Sequence, residues 1–432
     1  MNPALETASI QPMRRRVLGM ILAGGRGNRL RPLTDYRSKP AVPFGGIYRI
    51  VDFVLSNFVN SGMRSIYVLT QFKSQSLNEH VHRAWAGTNL RPGNFIISVP
   101  AQMQTAGEIW YAGTADAIYQ NLNLIRETRP DLVCIFGGDH IYFMDVAQMM
   151  REHVSNQADV TIAAIPVPAA EASRFGVIGA GRDGRIDAFH EKVAHPPTMP
   201  GDPNRCYASM GNYVFSREIL DAMLEEDAKD ASSSHDFGKD ILPRMVAGGH
   251  RVFAYDFETN QIPGRPEGSK NLYWRDVGTL EAYYEANMDL KEVVPSLNLY
   301  NREWPINTIG SSAPPAKFVH DTEGRVGEAR HSIVGPGSIV SGAMVKESIV
   351  GRNVRIHSFS QVSGSILFDG VTIERECRVR RAIIDKDVVL ARGTRVGFDA
   401  EADRDRGWFV TATGITVIPK NPVVRPITTM DL

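Results

Sequence analysis

A glycine-rich stretch near the start of the chain carries residue types that bind phosphate groups. The apolar run "VLGMILA" is followed by "GGRGNRLRPLT", which places Gly24, Gly25 and Gly27 directly after a strand-like segment. Glycines let backbone N–H groups approach phosphate oxygens closely, and Arg29 and Lys39 can add positive charge. The stretch lacks the Gly-Lys-Ser/Thr ending of a P-loop and the GxGxxG dinucleotide pattern. A tight turn between a strand and a helix is the alternative interpretation.

Two aspartates have the chemistry of a magnesium site. Asp139 ends an apolar run in "FGGDHIY", and Asp276 follows a Trp-Arg pair in "YWRDVGT". Mg²⁺ usually takes one or two protein carboxylates together with substrate phosphates. Each aspartate can instead cap a helix or form a turn. Spacing alone does not bring the two together, so the magnesium site depends on the fold.

Three further segments combine small, aromatic and charged residues that suit a nucleotide or a sugar phosphate. They are "WYAGTADA", "FHEKV" and "ASMGNYVFS", with the candidate residues Tyr111, Gly113, Thr114, Glu191, Lys192 and Ser209. In isolation, Thr114 can be a helix cap, and Glu191–Lys192 can be a solvated surface pair. No Ser-His-Asp order and no His/Cys cluster is evident in the sequence, so hydrolysis through a protein nucleophile has no support.

The elements that would position these residues alternate along the first two thirds of the chain. Strand-like runs such as "VLGMILA", "SIYVLT", "DLVCIFGGD" and "DVTIAAIPV" are separated by segments with helical spacing. This alternation predicts an α/β fold with a Rossmann-like, mostly parallel sheet covered by helices. Ligands of such sheets bind beyond the carboxyl ends of the strands. Gly24 and Asp139 both occupy that kind of position.

The last quarter of the chain repeats every 17 residues. Three sets of four aliphatic residues recur at this spacing: Ile333, Val350, Leu367 and Ile384; Ile339, Ile356, Ile373 and Leu390; Val345, Val362, Val379 and Val396. Steps of six, six and five residues predict a triangular coil with one inward aliphatic residue on each side. We therefore expect a left-handed parallel β-helix after the α/β domain. A β-sandwich is the alternative, but it would not explain the strict recurrence.

The composition of the chain and a proline-rich stretch indicate its class and its domain boundaries. The chain has 432 residues, 48 basic and 48 acidic residues, and three widely spaced cysteines. This balance does not favour nucleic acid or a membrane surface as a partner, and the cysteines indicate a reducing, cytoplasmic location. The Pro-rich stretch "GSSAPPAKFVH" marks a change in composition. We predict a catalytic domain at 15–295, a linker at 296–325 and a β-helix at 326–432.

Together the motifs resemble those of the sugar-1-phosphate nucleotidylyltransferases, and most closely the bacterial glucose-1-phosphate adenylyltransferase family. The matching stretches run in order from about Leu22 to His320 and include "LAGGRGNRLRPLT", "SKPAVPFGG", "FGVI", "SSHDFGKDILP" and "YWRDVGTLEAYYEANMDL". The resemblance implies transfer of the adenylyl group of ATP to glucose 1-phosphate. The products would be pyrophosphate and ADP-glucose, the precursor for glycogen biosynthesis.

The resemblance also implies roles for individual residues. The catalytic residues would be Arg29, Lys39, Asp139 and Asp276, with Asp139 and Asp276 holding Mg²⁺. The ATP site would comprise Leu22, Ala23, Gly24, Gly25, Gly27, Tyr111, Gly113 and Thr114. The glucose 1-phosphate site would comprise Tyr111, Gly176, Glu191, Lys192, Ser209 and Asp276. The family usually has proline after the lysine, where this chain has Val193.

Regulation is a further implication of the resemblance. It implies a homotetramer that binds small anionic effectors, such as a sugar phosphate, pyruvate, AMP or phosphate. Activator lysines of enteric relatives are replaced here by Tyr36 and Ile47, whereas Arg37 and Arg49 remain. We therefore expect Arg37 and Arg49 at the effector site. Fructose 6-phosphate or pyruvate is the expected activator, rather than fructose 1,6-bisphosphate.

Three other functions compete with this one. The chain could serve another sugar or base, could be a non-catalytic regulatory subunit, or could be an acyltransferase that uses the β-helix. A regulatory subunit would be expected to lose charged site residues, but this chain keeps them. The coils offer only His331 and His357 as catalytic histidines for acyl transfer.

Overall fold

Strands and helices alternate around one central sheet in the first part of the chain, and short strands form a coil in the last part. The computed structural model describes residues 15–87, 91–102, 110–191, 193, 196–270, 273–322 and 324–420. The strands of the first part are β1 Val17–Ala23, β2 Pro43–Phe44, β3 Tyr48–Arg49, β4 Ser65–Thr70, β5 Phe95–Pro100, β6 Leu132–Gly137, β7 His140–Tyr142, β8 Val160–Pro168, β9 Gly176–Ala180, β10 Ile186–Glu191, β11 Arg205–Ser216, β12 Val252–Asp256 and β13 Trp274–Asp276.

The central sheet is mixed, with a parallel core. Its order is β10-β9-β11-β6-β1-β4-β5, and β8 joins it through β11 and carries β12 on its other side. Strand β1 lies parallel to both β4 and β6, whereas β11 is antiparallel to β6 and β8. The apolar run of β1 is buried on both faces, as expected for a central parallel strand. The α/β, mostly parallel sheet predicted from the sequence is confirmed.

Helices cover the sheet at the places where the sequence has helical spacing. They are α1 Ile50–Asn60, α2 Gln75–Trp85, α3 Thr114–Tyr119, α4 Leu122–Thr128, α5 Val146–Ser155, α6 Arg217–Asp227, α7 Leu242–Ala247, α8 Leu280–Asp289 and α9 Ala400–Asp405. The segment "ADAIYQNLNLIRET" forms two helices rather than one. The break falls at Asn121, whose side chain donates hydrogen bonds to Tyr111 Oη and to the carbonyl of Ala117. In the described part of the chain, no helix is both long and apolar enough to cross a membrane.

The C-terminal part is a parallel coil of three sheets. The strands are β14 Lys317–Val319, β15 Asp321–Thr322, β16 Arg325–Val326, β17 Glu328–Arg330, β18 Ile333–Val334, β19 Ile339–Ser341, β20 Met344–Lys346, β21 Ile349–Val350, β22 Arg355–Ile356, β23 Gln361–Ser363, β24 Ile366–Leu367, β25 Thr372–Ile373, β26 Arg378–Arg380, β27 Ala382–Ile384, β28 Val389–Leu390, β29 Arg395–Val396, β30 Phe409–Val410 and β31 Thr416–Ile418. The three long sheets are β14-β19-β22-β25-β28, β17-β20-β23-β26-β29 and β18-β21-β24-β27-β31-β30. This is the architecture predicted as a β-helix. Its first strand already begins at Lys317, inside the stretch predicted as linker.

The register of the first coil differs from the 17-residue prediction. Val334 lies opposite Val350, and Val340 lies opposite Ile356, so each aligned residue is one position later than expected. Val340 is 1% exposed, whereas Ile339 is half-buried. The corner at Ser341–Ala343 is one residue shorter than the corresponding corner of the next coil. The remaining coils keep the 17-residue alignment, for example from Val345 to Val362.

One face of the β-helix docks on the α/β domain through a shared apolar core. Outward residues of β21, β24, β27 and β31 belong to the same buried cluster as residues from β2, α1 and α8: Ile349, Ile366, Ile383, Val417, Phe44, Phe53 and Tyr283. A buried ion pair crosses this interface, with Arg37 Nη1 2.9 Å from Asp385 Oδ1. The β-helix therefore directly contacts the segment that follows the glycine-rich loop.

We predict that the aliphatic stacks inside the coil carry much of its stability. Val379 is 1% exposed inside the coil, and Val389 is 62% exposed on its surface. Val379→Ala should lower the free energy of unfolding by about 2–3 kcal/mol, because it leaves a cavity, whereas Val389→Ala should change it by less than about 0.5 kcal/mol. Urea unfolding monitored by circular dichroism measures both. Equal losses in the two variants would contradict the predicted interior.

Candidate active site

A cleft of about 720 Å³ opens at the carboxyl ends of β1, β4 and β6. The predicted site residues that line it are Leu22, Ala23, Gly24, Gly25, Gly27, Arg29, Lys39, Tyr111, Gly113, Thr114, Asp139, Gly176, Glu191 and Ser209. Asp276 reaches the same place, because its carboxylate contacts the Lys39 ammonium. Lys192 lies outside the described residues. We call this cleft the central cleft.

A larger depression of about 850 Å³ lies at the amino ends of β1 and β6. Several of its arginines pair with neighbouring carboxylates, as in Arg251–Asp159 at 2.7 Å and Arg217–Asp221 at 3.3 Å. None of the predicted site residues lines it. Because ligands of open α/β sheets bind at the carboxyl ends of the strands, we assign the active site to the central cleft.

The glycine-rich loop forms one wall of the central cleft. Gly27 has a φ of 62°, and a Cβ at this position would lie 3.0 Å from the Cβ of Lys39. The loop is fixed from below by Thr34, whose hydroxyl donates a 3.0 Å hydrogen bond to the carbonyl of Gly27. A Cβ added at Gly25 would meet no atom within 4 Å, so this part of the loop faces open space. Its backbone can therefore approach a ligand without obstruction.

Pairing of two short strands brings the predicted metal-binding aspartates together. Strands β7 and β13 are antiparallel, and Asp276 lies opposite His140, the neighbour of Asp139. The Lys39 ammonium donates to Asp139 Oδ2 at 3.0 Å and to Asp276 Oδ1 at 2.8 Å. The Lys39 side chain is only 7% exposed. Three residues that are more than 90 positions apart in the chain thus meet at one ammonium group.

The charges of this cluster stabilise one another. Burial by itself would lower the pKa of Lys39, but the Asp139 and Asp276 carboxylates raise it above its ordinary value. Burial also opposes ionisation of Asp139, yet His140 and Lys39 hold the pKa of that carboxyl well below its usual range. Near neutral pH, Lys39 therefore keeps its proton and Asp139 stays ionised. The cluster is an ion pair rather than a neutral hydrogen-bonded pair.

The two carboxylates fit a metal ion whose ligands come partly from the protein and partly from a substrate. Both carboxylates already converge on one cation, the Lys39 ammonium, which stands where a small cation would bind. Among the described residues, no group of three or more His, Cys, Asp or Glu side chains could hold a metal. Two carboxylates are the number that Mg²⁺ takes when substrate phosphates and water complete its coordination shell.

The predicted nucleotide residues line the central cleft next to Gln71, which also lies beside Gly24 of the glycine-rich loop. The backbone N–H of Tyr111 donates to Gln71 Oε1 at 3.1 Å, and the Thr114 hydroxyl donates to Asp236 Oδ2 at 3.0 Å. A Cβ at Gly113 would lie 2.1 Å from the carbonyl oxygen of His235, so only glycine fits. The motif "SSHDFGKDILP" thus braces "WYAGTADA", and Thr114 positions a loop rather than acting as a free nucleophile.

Gly176, Glu191 and Ser209 form the end of the cleft assigned to the sugar phosphate. A Cβ at Gly176 would lie 2.9 Å from Glu191 Oε2, so the glycine makes room for that carboxylate. The Ser209 hydroxyl accepts a hydrogen bond from the backbone N–H of Gly211 at 3.2 Å. These residues lie on β9, β10 and β11, toward the edge of the sheet that is opposite to the edge near β4. The cleft therefore has two ends of different composition.

Sequence reasoning missed several residues of the central cleft, of which four bear on its charge or geometry. Gln71, His140, Asp236 and Gly278 all line it. His140 packs against Trp274 with ring centroids 4.9 Å apart, which supports the backbone of both aspartates. Gln71 directly follows β4, the parallel neighbour of β1, and that position was the available signal. Asp236 lies in a motif that the sequence comparison singled out, but its spacing does not indicate contact with Thr114.

Arg37 and Arg49 lie outside the central cleft, beside a second cleft between the two domains. This interdomain cleft has a volume of about 550 Å³, and its basic lining residues are Arg37, Arg49, Arg83, Arg352, Lys386 and Lys420. Arg49 Nη1 donates to the carbonyl and the hydroxyl of Ser76 at 2.8 and 2.9 Å. Burial lowers the pKa of Lys386, although Asp369 at 2.9 Å opposes this. The residues that line the interdomain cleft therefore include more basic than acidic side chains.

Comparisons with known proteins agree with this architecture. The nucleotidyl transferase family model matches residues 18–293, and the GlmU-like C-terminal hexapeptide model matches residues 314–418. The glucose-1-phosphate adenylyltransferase of Thermus thermophilus is 56% identical over 94% of this chain and 98% of its own length. Those of Deinococcus radiodurans and an Anaeromyxobacter species are 52% and 53% identical, each over 95% of this chain and 100% of their own length. The chain therefore belongs to the nucleotidyl transferase family and, within it, to the glucose-1-phosphate adenylyltransferases.

Proposed function

We propose that this chain transfers the adenylyl group of ATP to glucose 1-phosphate. A phosphate oxygen of glucose 1-phosphate attacks the α-phosphorus of ATP, and the bond from that phosphorus to the bridging oxygen of the β-phosphate breaks. Pyrophosphate leaves with the electron pair, and ADP-glucose is formed. The observation that carries this proposal is the Lys39–Asp139–Asp276 cluster beside the glycine-rich loop. The names of the relatives indicate the same reaction.

The protein needs to align two anions and to neutralise the charge that develops between them. The backbone at Gly25 borders open space, so the N–H groups of the glycine-rich loop suit the triphosphate. Arg29 is 71% exposed at the rim, with its guanidinium 3.8 Å from Asp276, and can turn toward the phosphates. Lys39 supplies a second positive charge from the floor of the cleft. Tyr111, Gly113 and Thr114 form the nucleotide wall.

Nucleotidyltransferases typically use a divalent metal. For this chain we propose Mg²⁺, held by Asp139 and Asp276. When bound, the ion supplies positive charge that offsets the charge of the phosphates. The protein's part is to hold both carboxylates ionised at one point, which β7 and β13 do by their pairing.

The far end of the cleft suits glucose 1-phosphate. The Glu191 carboxylate can accept hydrogen bonds from sugar hydroxyls, and the Ser209 hydroxyl can donate or accept them. Gly176 leaves space beside Glu191. Lys192 is proposed for the sugar phosphate from its place in the sequence. In this proposal the attacking phosphate lies between the sugar end and Asp139 and Asp276.

The charged residues argue against a non-catalytic regulatory subunit. Arg29, Lys39, Asp139 and Asp276 are all present and lie together. Acyl transfer by the β-helix has little support, because His331 is exposed at a corner and His357 is half-buried in the next coil. The names of the relatives favour ATP and glucose 1-phosphate over another base or sugar.

Pyrophosphate release tests the proposed reaction. With glucose 1-phosphate, we expect ATP to give pyrophosphate and ADP-glucose in equal amounts, because one displacement forms both. UTP, dTTP and GTP should give at least about tenfold less product, since unmatched bases leave polar groups unpaired. Equal rates with UTP or dTTP would contradict the adenylyl assignment.

Asp139→Asn provides the residue-level control for that assay. Loss of this carboxylate should reduce turnover by at least about a hundredfold, as removal of a key electrostatic contact does. The matched variant Asp183→Asn, in the exposed turn before β10, should keep wild-type turnover. Near-normal turnover in a folded Asp139→Asn protein would remove Asp139 from the mechanism.

We further propose that the interdomain cleft binds a small anionic effector and that the protein is a homotetramer. Arg37 is committed to a buried ion pair with Asp385, and Arg83, Lys386 and Lys420 pair with carboxylates that are at least 30% exposed. Among the described residues, Arg49 and Arg352 donate hydrogen bonds only to uncharged oxygen atoms, so their charges are not neutralised by a directly paired carboxylate. Arg37 lies two residues before Lys39, so an anion beside it can influence the central cleft through the chain itself. In this assignment Arg49 contacts the effector, and Arg37 links the domains.

Effector titration tests this second proposal. Fructose 6-phosphate, pyruvate, AMP and phosphate would be titrated against wild type and Arg49→Ala. We expect basal activity to survive and the response to the active effector to fall by about tenfold or more, because a charge-assisted contact is lost. Arg182→Ala, in an exposed turn, is the matched control. An unchanged response in folded Arg49→Ala protein would exclude Arg49 from the effector site.

A further inference from the structure

The ammonium group of Lys39 occupies the point where the two metal-binding carboxylates converge. It is 3.0 Å from Asp139 Oδ2 and 2.8 Å from Asp276 Oδ1, both within hydrogen-bond distance. The Lys39 side chain is 7% exposed, whereas the Asp139 and Asp276 side chains are 36% and 31% exposed, so a buried ammonium meets two carboxylates that are open to the cleft. This is the same lysine that the sequence assigns to the triphosphate. One side chain therefore has two anionic partners to choose between.

A divalent cation and the ammonium cannot share this point. Both would need the same two carboxylate oxygens, and like charges a few ångströms apart repel each other. A metal ion arriving alone must therefore displace Lys39 and leave its buried charge without a partner, which is costly. The free protein should bind a divalent metal weakly even though two carboxylates are in place.

The triphosphate changes this balance, because it offers Lys39 a new partner. The stem of Lys39 passes directly below the glycine-rich loop, as the packing of its Cβ under Gly27 shows. Its backbone is fixed in a short 3-10 helix, Lys39–Ala41, with Pro40 in the first turn. Side-chain rotation alone can thus carry the ammonium from the carboxylates toward phosphates bound at the loop, while the backbone stays in place.

We infer that Lys39 is a resident cation that keeps the metal site closed until a nucleotide triphosphate binds. The metal then takes the carboxylates at the moment when Lys39 moves to the phosphates. Metal and nucleotide therefore bind with positive coupling, and Lys39 is the residue that couples them. This inference rests on the proposed metal and nucleotide sites. It assigns to Lys39 a role in metal exclusion that is separate from any contact it makes in the reaction.

Manganese binding tests the exchange, with Mn²⁺ as the probe and electron paramagnetic resonance of free Mn²⁺ as the readout. Wild type, Lys39→Met and Lys39→Gln would be titrated with and without α,β-methylene-ATP. The phosphates of the analogue bind Mn²⁺ themselves, so a titration of the analogue without protein is subtracted from each titration that contains it. We expect wild type to bind Mn²⁺ at least about tenfold tighter with the analogue present, a coupling of ordinary size. Both Lys39 variants should bind Mn²⁺ alone at least about tenfold tighter than wild type does.

The matched control is Arg29→Met, which also removes a positive charge near Asp276. The Arg29 guanidinium is 3.8 Å from Asp276 and 71% exposed, so its charge is screened by water. Arg29→Met should tighten binding of Mn²⁺ alone by less than about threefold. A gain equal to that of the Lys39 variants would mean that net charge, not occupancy of the site, governs metal binding.

Two outcomes would overturn the inference. One is that folded Lys39→Met and Lys39→Gln proteins bind Mn²⁺ alone no tighter than wild type. The other is that wild type binds Mn²⁺ equally well with and without the analogue, which can be measured without any variant. Failure here is distinct from failure of the proposed function. If the protein forms ADP-glucose but the analogue does not tighten Mn²⁺ binding, only the proposed role of Lys39 in metal exclusion is wrong. If the analogue tightens Mn²⁺ binding but no ADP-glucose forms, only the proposed reaction is wrong.

Discussion

One ammonium group between two carboxylates determines how the catalytic part of this protein must be built. Lys39 comes from the segment after the glycine-rich loop, Asp139 from the end of β6, and Asp276 from β13. To bring them together, β6 must lie beside β1 and β13 must pair with β7. Each step uses backbone hydrogen bonds to place a charge that would be costly to bury alone. The fold of the first domain can be understood as the scaffold of this contact.

The second domain is connected to the same short segment. Arg37 pairs with Asp385 of the β-helix, two residues before Lys39, and the apolar face of the coil packs against β2 and α8. Asp52 strengthens this region from the other side, because its buried carboxylate accepts hydrogen bonds from Trp85 Nε1 and Thr308 Oγ1. The chain from Arg37 to Arg49 therefore borders both clefts. Any anion bound between the domains would act on residues adjacent to the catalytic lysine.

The sequence predicts the architecture better than it predicts contacts. The alternation of strands and helices and the 17-residue repeat each reflect burial, which leaves a periodic signal in the chain. The contact of Lys39 with both aspartates leaves no such signal, since it depends on the register of two three-residue strands. Likewise, Val340 replaces Ile339 in the interior because one corner is a residue shorter, and both residues are aliphatic. The roles of Gln71 and Asp236 also arise from packing between distant loops.

The proposed mechanism makes one displacement at phosphorus, with no covalent intermediate on the protein. The Thr114 hydroxyl donates to Asp236 of a neighbouring loop, and the Ser209 hydroxyl accepts from Gly211 of its own strand. The cluster around Lys39 serves to orient and neutralise anions. The most direct test is the stereochemical outcome with ATP that carries sulfur on its α-phosphorus. A single displacement predicts ADP-glucose with inverted configuration at that phosphorus. Retention of configuration would require two displacements and would contradict the account.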